Sequence, residues 1–156
     1  MKTRVEKPEC SAPASNCSPT RTIRTCLAGG SPATMVWLAR LLARDRRIAI
    51  VGAATDGGKA FRSASTLHPD LVLMDLHLPI VDGAEVARWL KQLQNPPIVF
   101  MVTPDASPAA LTRSLNAGAD AFLVKAADLG VQLQTAMRNF FPDDPEERET
   151  TTRTSL

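Results

Sequence analysis

Short apolar runs alternate with amphipathic stretches along this chain. Four runs stand out: Ile48–Val51, Leu71–Met74, Ile98–Val102 and Ala121–Val124. Runs this short, rich in β-branched residues and sharply bounded, suit strands buried on both faces. A weaker first strand, TIRTCLA over residues 22–28, puts Ile23 and Leu27 on one face and Cys26 on the other. The stretches between follow a helical period. Met35, Leu38 and Leu42 share one face, as do Ala60, Ala64 and Leu67 with Phe61 beside them. Val86, Leu90 and Leu93 do the same within a helix expected over 83–94. Ala110, Leu111 and Leu115 are the expected inner face of the fourth helix, and Leu129, Leu133, Ala136 and Phe140 that of a fifth over 128–140.

The punctuation agrees with the periods. Ser31-Pro32 and Ser107-Pro108 each supply an N-cap followed by a proline at the first helical position. Asp56 is a further N-cap, and Asp82 with Glu85 has the spacing of a capping box. His68-Pro69-Asp70 and Asn95-Pro96-Pro97 stop helices, and Gly118 ends one in the left-handed conformation. Five strands alternating with five helices imply βαβ units. The fold class is therefore α/β. We expect a flavodoxin-like, doubly wound, five-stranded parallel sheet of order 2-1-3-4-5, with helices on both faces.

In such a sheet the strand ends gather at one edge, where ligands bind. Three polar residues close strands there: Asp75, Thr103 and Lys125. A carboxylate can accept a phosphoryl group as nucleophile. A lysine can pair with phosphoryl oxygens, and a threonine hydroxyl can donate to them. Residue types alone equally allow a plain Asp75–Lys125 salt bridge with Thr103 merely ending its strand.

Composition narrows the classes. The 156 residues suffice for one domain with a core. No stretch approaches the roughly 20 apolar residues of a membrane span, and the N-terminus lacks an apolar signal core. Formal net charge is +2, unevenly spread. Residues 1–24 are net +3 and residues 142–156 net −3, read as solvated ends and not as nucleic-acid-binding arms. Cys10, Cys17 and Cys26 have no zinc spacing and suit reduced thiols in the cytoplasm. The expected organisation is a disordered extension over 1–20, one domain over 21–141 and a disordered acidic tail over 142–156.

The motif LVLMDLHLPIVDG, then a strand ending in Thr103, then GADAFLVK, resembles the receiver domain of bacterial response regulators. The likeness covers about residues 22–141 and includes Pro79 and Gly83. It implies two-component phosphorelay signalling, with Asp75 as phosphoacceptor, Thr103 and Lys125 as phosphoryl contacts and Phe122 as the switch aromatic of the fifth strand. It implies a protein partner, either a histidine kinase or an output protein, and self-association through helix 4, strand 5 and helix 5.

The departure from the family pattern lies at the first strand. The resemblance calls for an acidic pair there that helps hold Mg²⁺, and this chain has Gly29 and Gly30. Mg²⁺ takes oxygen ligands, carboxylates among them. Only Asp75 and the backbone carbonyl of His77 remain, so any metal site is expected to be weak. Ala126 and Pro104 also depart from the family pattern.

The reading is thus an atypical receiver, a pseudo-receiver. It acts by protein–protein interaction without phosphorylation, is not an enzyme, and needs no cofactor, nucleic acid or membrane. Too few residues follow the last helix for a DNA-binding module, so a single-domain protein is expected. The alternative is a conventional receiver phosphorylated on Asp75 by a histidine kinase, with Mg²⁺. A remote third reading is a haloacid-dehalogenase-type phosphatase with Asp75 as nucleophile. That chemistry wants a second acid where His77 stands, and a nucleophile after the first strand.

Overall fold

The computed structural model describes residues 21–142. The two segments expected to be disordered, together with Cys10 and Cys17, otherwise lie outside the described residues.

Among the described residues ten elements alternate strictly: β1 (Ile23–Ala28), α1 (Pro32–Leu42), β2 (Ile48–Ala54), α2 (Gly57–Leu67), β3 (Leu71–Asp75), α3 (Gly83–Lys91), β4 (Ile98–Thr103), α4 (Pro108–Asn116), β5 (Ala121–Val124) and α5 (Leu129–Phe140). The strands form one parallel sheet in the order β2-β1-β3-β4-β5. This is the expected flavodoxin-like architecture. β3 is its buried centre, with all its residues buried.

Side-chain alternation along the central strands divides the core in two. Leu71, Leu73, Phe100, Val102 and Leu123 pack beneath α1 and α5. Val72, Met74, Val99 and Met101 pack beneath α2, α3 and α4. The helix faces follow the sequence periods for the most part. Leu38 and Leu42 are buried on α1, Val86 and Leu90 on α3, and Leu129, Leu133 and Ala136 on α5. Ser31, Asp56 and Ser107 each accept a backbone N–H as N-caps. Gly118 has φ +94° just beyond α4.

Four expectations need correction. The inner face of α4 is Ala110 and Ser114, continued by the C-cap Ala117, whereas Leu111 and Leu115 are 40% and 54% exposed. Small residues at that spacing let the helix lie close to the sheet. Arg113 reaches Asp82, the N-cap of α3, at 2.8 Å. Second, α3 stops at Lys91 instead of Gln94. Gln92 and Leu93 bond back only three residues, to Trp89 and Leu90, which tightens and ends the helix. Third, the capping box does not close. Asp82 Oδ1 accepts from Ala84 N, and Glu85 instead pairs with Arg88 at 2.7 Å. Fourth, β2 runs through Gly52 to Ala54, with a register shift opposite Thr25/Cys26. Gly52 is a packing glycine. A Cβ there would lie 2.8 Å from Leu67 Cδ1 and 3.1 Å from Cys26 Sγ.

Candidate functional site

The C-terminal edge of the sheet carries the three expected polar residues. Asp75 ends β3 and pairs in register with Val102, while Thr103 pairs with Val124. Lys125 follows directly, its N–H donating to Thr103 O at 2.8 Å. Lys125 Nζ reaches Asp75 Oδ2 at 2.7 Å, with side-chain exposures of only 20% and 10%. The other carboxylate oxygen, Oδ1, accepts from His77 N at 3.2 Å. Each Asp75 oxygen thus has a donor from within the site.

Thr103 is fully buried, and its Oγ1 accepts from Asp105 N at 3.1 Å. Phe122 is opposite Met101. Strand alternation therefore places Phe122 and Thr103 diagonally on one face of the sheet, the α4 side. Lys125 belongs to the opposite face, the side of α1 and α5.

The loop after Asp75 is held tightly. Gly83 N donates to Leu76 O at 2.9 Å, and Gly57 N to Pro79 O at 3.2 Å. Two glycines make this packing possible. A Cβ on Gly83 would lie 2.4 Å from Asp75 O, and one on Gly57 would lie 1.9 Å from Val81 O. The loop turns at Ile80, a β-branched residue at φ +70° that is 87% exposed.

The β1 side of the edge is bare of side-chain oxygens at its first two positions. Gly29 N donates to Ala54 O at 3.1 Å. Gly30 faces the loop, and a Cβ there would lie 3.3 Å from His77 O. The next oxygen along, Ser31 Oγ, is engaged by Thr34 N at 3.2 Å as the α1 cap. Among the described residues, no group of three or more His, Cys, Asp or Glu side chains could hold a metal ion.

Asp105 was not singled out by the sequence reading. It lies in the loop after β4, and its carboxylate accepts from Ser107 N at 2.9 Å. That bond, with a smaller contribution from the nearby His77, holds the Asp105 carboxyl below the usual range. Its signal in the sequence was slight: an acid two residues before a Ser-Pro helix start, the spacing of an Asx turn. Every described peptide bond is trans, that before Ala126 included.

A family model for the response regulator receiver domain matches residues 28–137. The chain belongs to this family. As a receiver domain, it is 33% identical over 110 residues to a protein-glutamate methylesterase/protein-glutamine glutaminase of a Nocardioides species. The match covers 69% of this chain and 30% of that protein. Over 75 residues it is 36% identical to the transcriptional regulatory protein PrrA of Mycobacterium tuberculosis, covering 48% of this chain and 32% of that protein. The receiver therefore spans about a third of these curated relatives.

Among solved structures, the NarL receiver domain of M. tuberculosis superimposes with a TM-score of 0.71 at 25% identity, covering 77% of this chain and 97% of that one. The response regulator domain of Thermotoga maritima CheB gives 0.70 at 25%, covering 80% and 100%. No helix among the described residues is long and apolar enough to cross a membrane.

Proposed function

We propose that this receiver is a pseudo-receiver: it signals in a two-component pathway by binding a protein partner, without phosphorylation of Asp75 and without enzymatic activity. The observation that carries this reading is the Lys125–Asp75 pair at 2.7 Å, opposite a β1 end formed by two glycines. The family's Mg²⁺ does not fit the donor set. One carboxylate, already engaged by Lys125 and His77 N, and one carbonyl of His77 are too few oxygens for a hard cation. Without a cation, charge on a transferring phosphoryl group is poorly neutralised. In this reading Asp75 and Lys125 hold the strand ends and the β3–α3 loop in one conformation. Cytoplasmic action accords with it. The exposed Leu111 and Leu115 on α4 offer apolar contact to a partner or a second copy along α4, β5 and α5.

A conventional receiver is the second reading, favoured by the retention of Asp75, Thr103 and Lys125 together at the sheet edge. The beryllofluoride anion with Mg²⁺ mimics a bound phosphoryl group and separates the two. The pseudo-receiver reading expects the amide NMR signals of Thr103, Phe122 and the β4–α4 loop to stay in place as both are added. A saturable shift of those signals would establish the conventional reading instead.

A further inference from the structure

The groove between α1 and α5 has a different character. The two helices pack on the same face of the sheet. On α1, Trp37 and Leu41 stand at i and i+4. The chain keeps turning past the helix end, with Arg44 N donating to Leu41 O and Asp45 N to Leu42 O. Arg44 therefore extends the Trp37–Leu41 stripe. On α5, Gly130, Gln134 and Arg138 form a stripe at i, i+4 and i+8. Arg44 reaches across to it: a Cβ on Gly130 would lie 3.1 Å from Arg44 Nη1. Two hollows open along the groove, and both are lined by Leu41, Arg44, Gly130 and Gln134. The first has a volume of about 210 Å³, with Arg44, Arg46, Arg47 and Arg138 around a floor that includes Leu133 and Met137. The second, of about 380 Å³, is lined by Trp37, whose indole is 38% exposed.

Among the described residues, Asp45 is the one acid lining either hollow. It is already engaged: Arg47 Nη2 meets its Oδ2 at 2.8 Å, and Arg47 N and Nε meet its Oδ1. Arg44, Arg46 and Arg138 are exposed and make no ion pair among the described residues. A helix C-terminus carries about half a negative charge, so the ends of α1 and α5 call for about one cation. Three arginines stand there beyond the Asp45–Arg47 pair. This excess of one sign, gathered in a concave site, attracts a compact and highly charged anion.

We propose that the α1–α5 groove binds a nucleoside diphosphate, with the diphosphate among Arg44, Arg46 and Arg138 and the base against the Trp37 indole. Guanidinium groups match phosphate oxygens in bidentate pairs. A terminal phosphate carries about −1.5 to −2 at neutral pH, and a diphosphate adds the charge of a second phosphate. At about 30 Å³ per water, the first hollow holds about seven waters, which is room for that group. A base stacks on an exposed aromatic face whatever its sequence identity. Trp37 and Arg44 are seven residues apart, about 10 Å along the helical turns, and that interval leaves space for the ribose. The groove uses no residue of the Asp75 site, so its ligand is independent of whether Asp75 takes phosphate. Contacts between exposed charges are screened by salt, so binding is salt-sensitive.

The test is calorimetric titration of the full chain in low salt with EDTA. The probes are ADP and UDP, inorganic pyrophosphate and a hexaglutamate peptide. At least one nucleotide should bind saturably, and pyrophosphate should bind about tenfold or more weakly, since it has no base to stack. Trp37→Leu should bring the nucleotide down to the affinity of pyrophosphate and leave pyrophosphate unchanged. Arg44→Ser, Arg46→Ser and Arg138→Ser together should abolish binding of both, with the amide spectrum showing that the fold persists. Gln134→Glu keeps all three arginines and alters one exposed position that lines both hollows. Its added negative charge should weaken both anions. No saturable binding of either nucleotide would overturn the proposal, as would nucleotide binding that survives loss of the three arginines. Equal affinity for nucleotide and pyrophosphate would overturn it by leaving a phosphate site with no place for a base. Tighter binding of hexaglutamate than of either nucleotide would overturn it too, by assigning the groove to an acidic protein segment.

Discussion

The two sides of the sheet's C-terminal edge make unlike use of the same fold. On the β3–β4–β5 side, Asp75, Thr103 and Lys125 are held in register, shielded from water and bonded to one another or to the adjoining loops. On the β1–α1 side, Gly29 and Gly30 contribute backbone only. The difference teaches what a sheet edge keeps when one half of it offers no side-chain oxygens at Gly29 and Gly30. A carboxylate with little exposure still needs a cation, and among the described residues Lys125 is the one within 4 Å of it. Under the pseudo-receiver proposal the pair is part of the architecture, and its value is structural.

The largest effect should come from removing the cation on the intact side. Lys125→Met leaves the Asp75 carboxylate shielded and unpaired. Breaking a buried pair costs about 3–5 kcal/mol, and the partial exposure here lowers the expected loss to about 2–3 kcal/mol. Urea denaturation measures it. Asp75→Asn should lose less, because Nζ of Lys125 can turn toward water. Equal losses for the two variants would break the comparison.

Next in size is Gly83→Ala. Its Cβ would lie 2.4 Å from Asp75 O, so backbone must move, at about 1–3 kcal/mol by the same measurement. Gly58→Ala is the matched control. Its nearest neighbour would be Asp56 Oδ1 at 3.4 Å, and α2 should gain about 0.4–1 kcal/mol.

A substitution on the bare side sharpens the contrast. Gly30→Asp sets a second carboxylate beside His77 O. The variant should gain stability on adding Mg²⁺, by about 1.4 kcal/mol at tenfold over its Kd, while wild type stays flat. A thermal melt with and without Mg²⁺ decides it. No gain in the variant would mean that the glycines are not what limits the metal.

The smallest effect lies away from the edge. A hydrogen bond from the Arg47 side chain holds the Asp45 carboxyl below its ordinary value of 3.8. A depressed carboxyl stabilises the fold above its unfolded value and loses that contribution as pH falls through the lower folded value. Asp45→Asn should therefore be less stable than wild type by about 0.5 kcal/mol at neutral pH. The gap should shrink as pH drops below 3.8, which melts across that range will show.

Much of this was legible in the residues. Strict alternation of apolar runs with amphipathic periods leaves few topologies, and the polar residues that close three of the runs mark the site edge. The misses share a physical origin. Leu111 and Leu115 fit a helical period, but a period does not tell an inner stripe from a flanking one. Ala110, Ser114 and Ala117 pack inward, where small residues allow close approach to the sheet. The apolar run Ile48–Val51 stopped short of Gly52, but β2 continues through it to Ala54, because glycine there relieves contact with Leu67 and Cys26 and does not end the strand. The Asp105–Ser107 turn is local, but an acid two residues before a helix start is too common a pattern to mark it, whereas the seating of Gly57 against Val81 joins segments distant in the chain.

The central claim is that Asp75 is held by Lys125 and is not a phosphoacceptor. Intact-mass spectrometry of the full chain after incubation with acetyl phosphate, with and without Mg²⁺ and beside Asp75→Asn, tests it most directly. The account expects no phosphoryl adduct on folded wild-type protein in either condition. A Mg²⁺-dependent adduct that disappears in Asp75→Asn would contradict it and make this receiver a working phospho-switch.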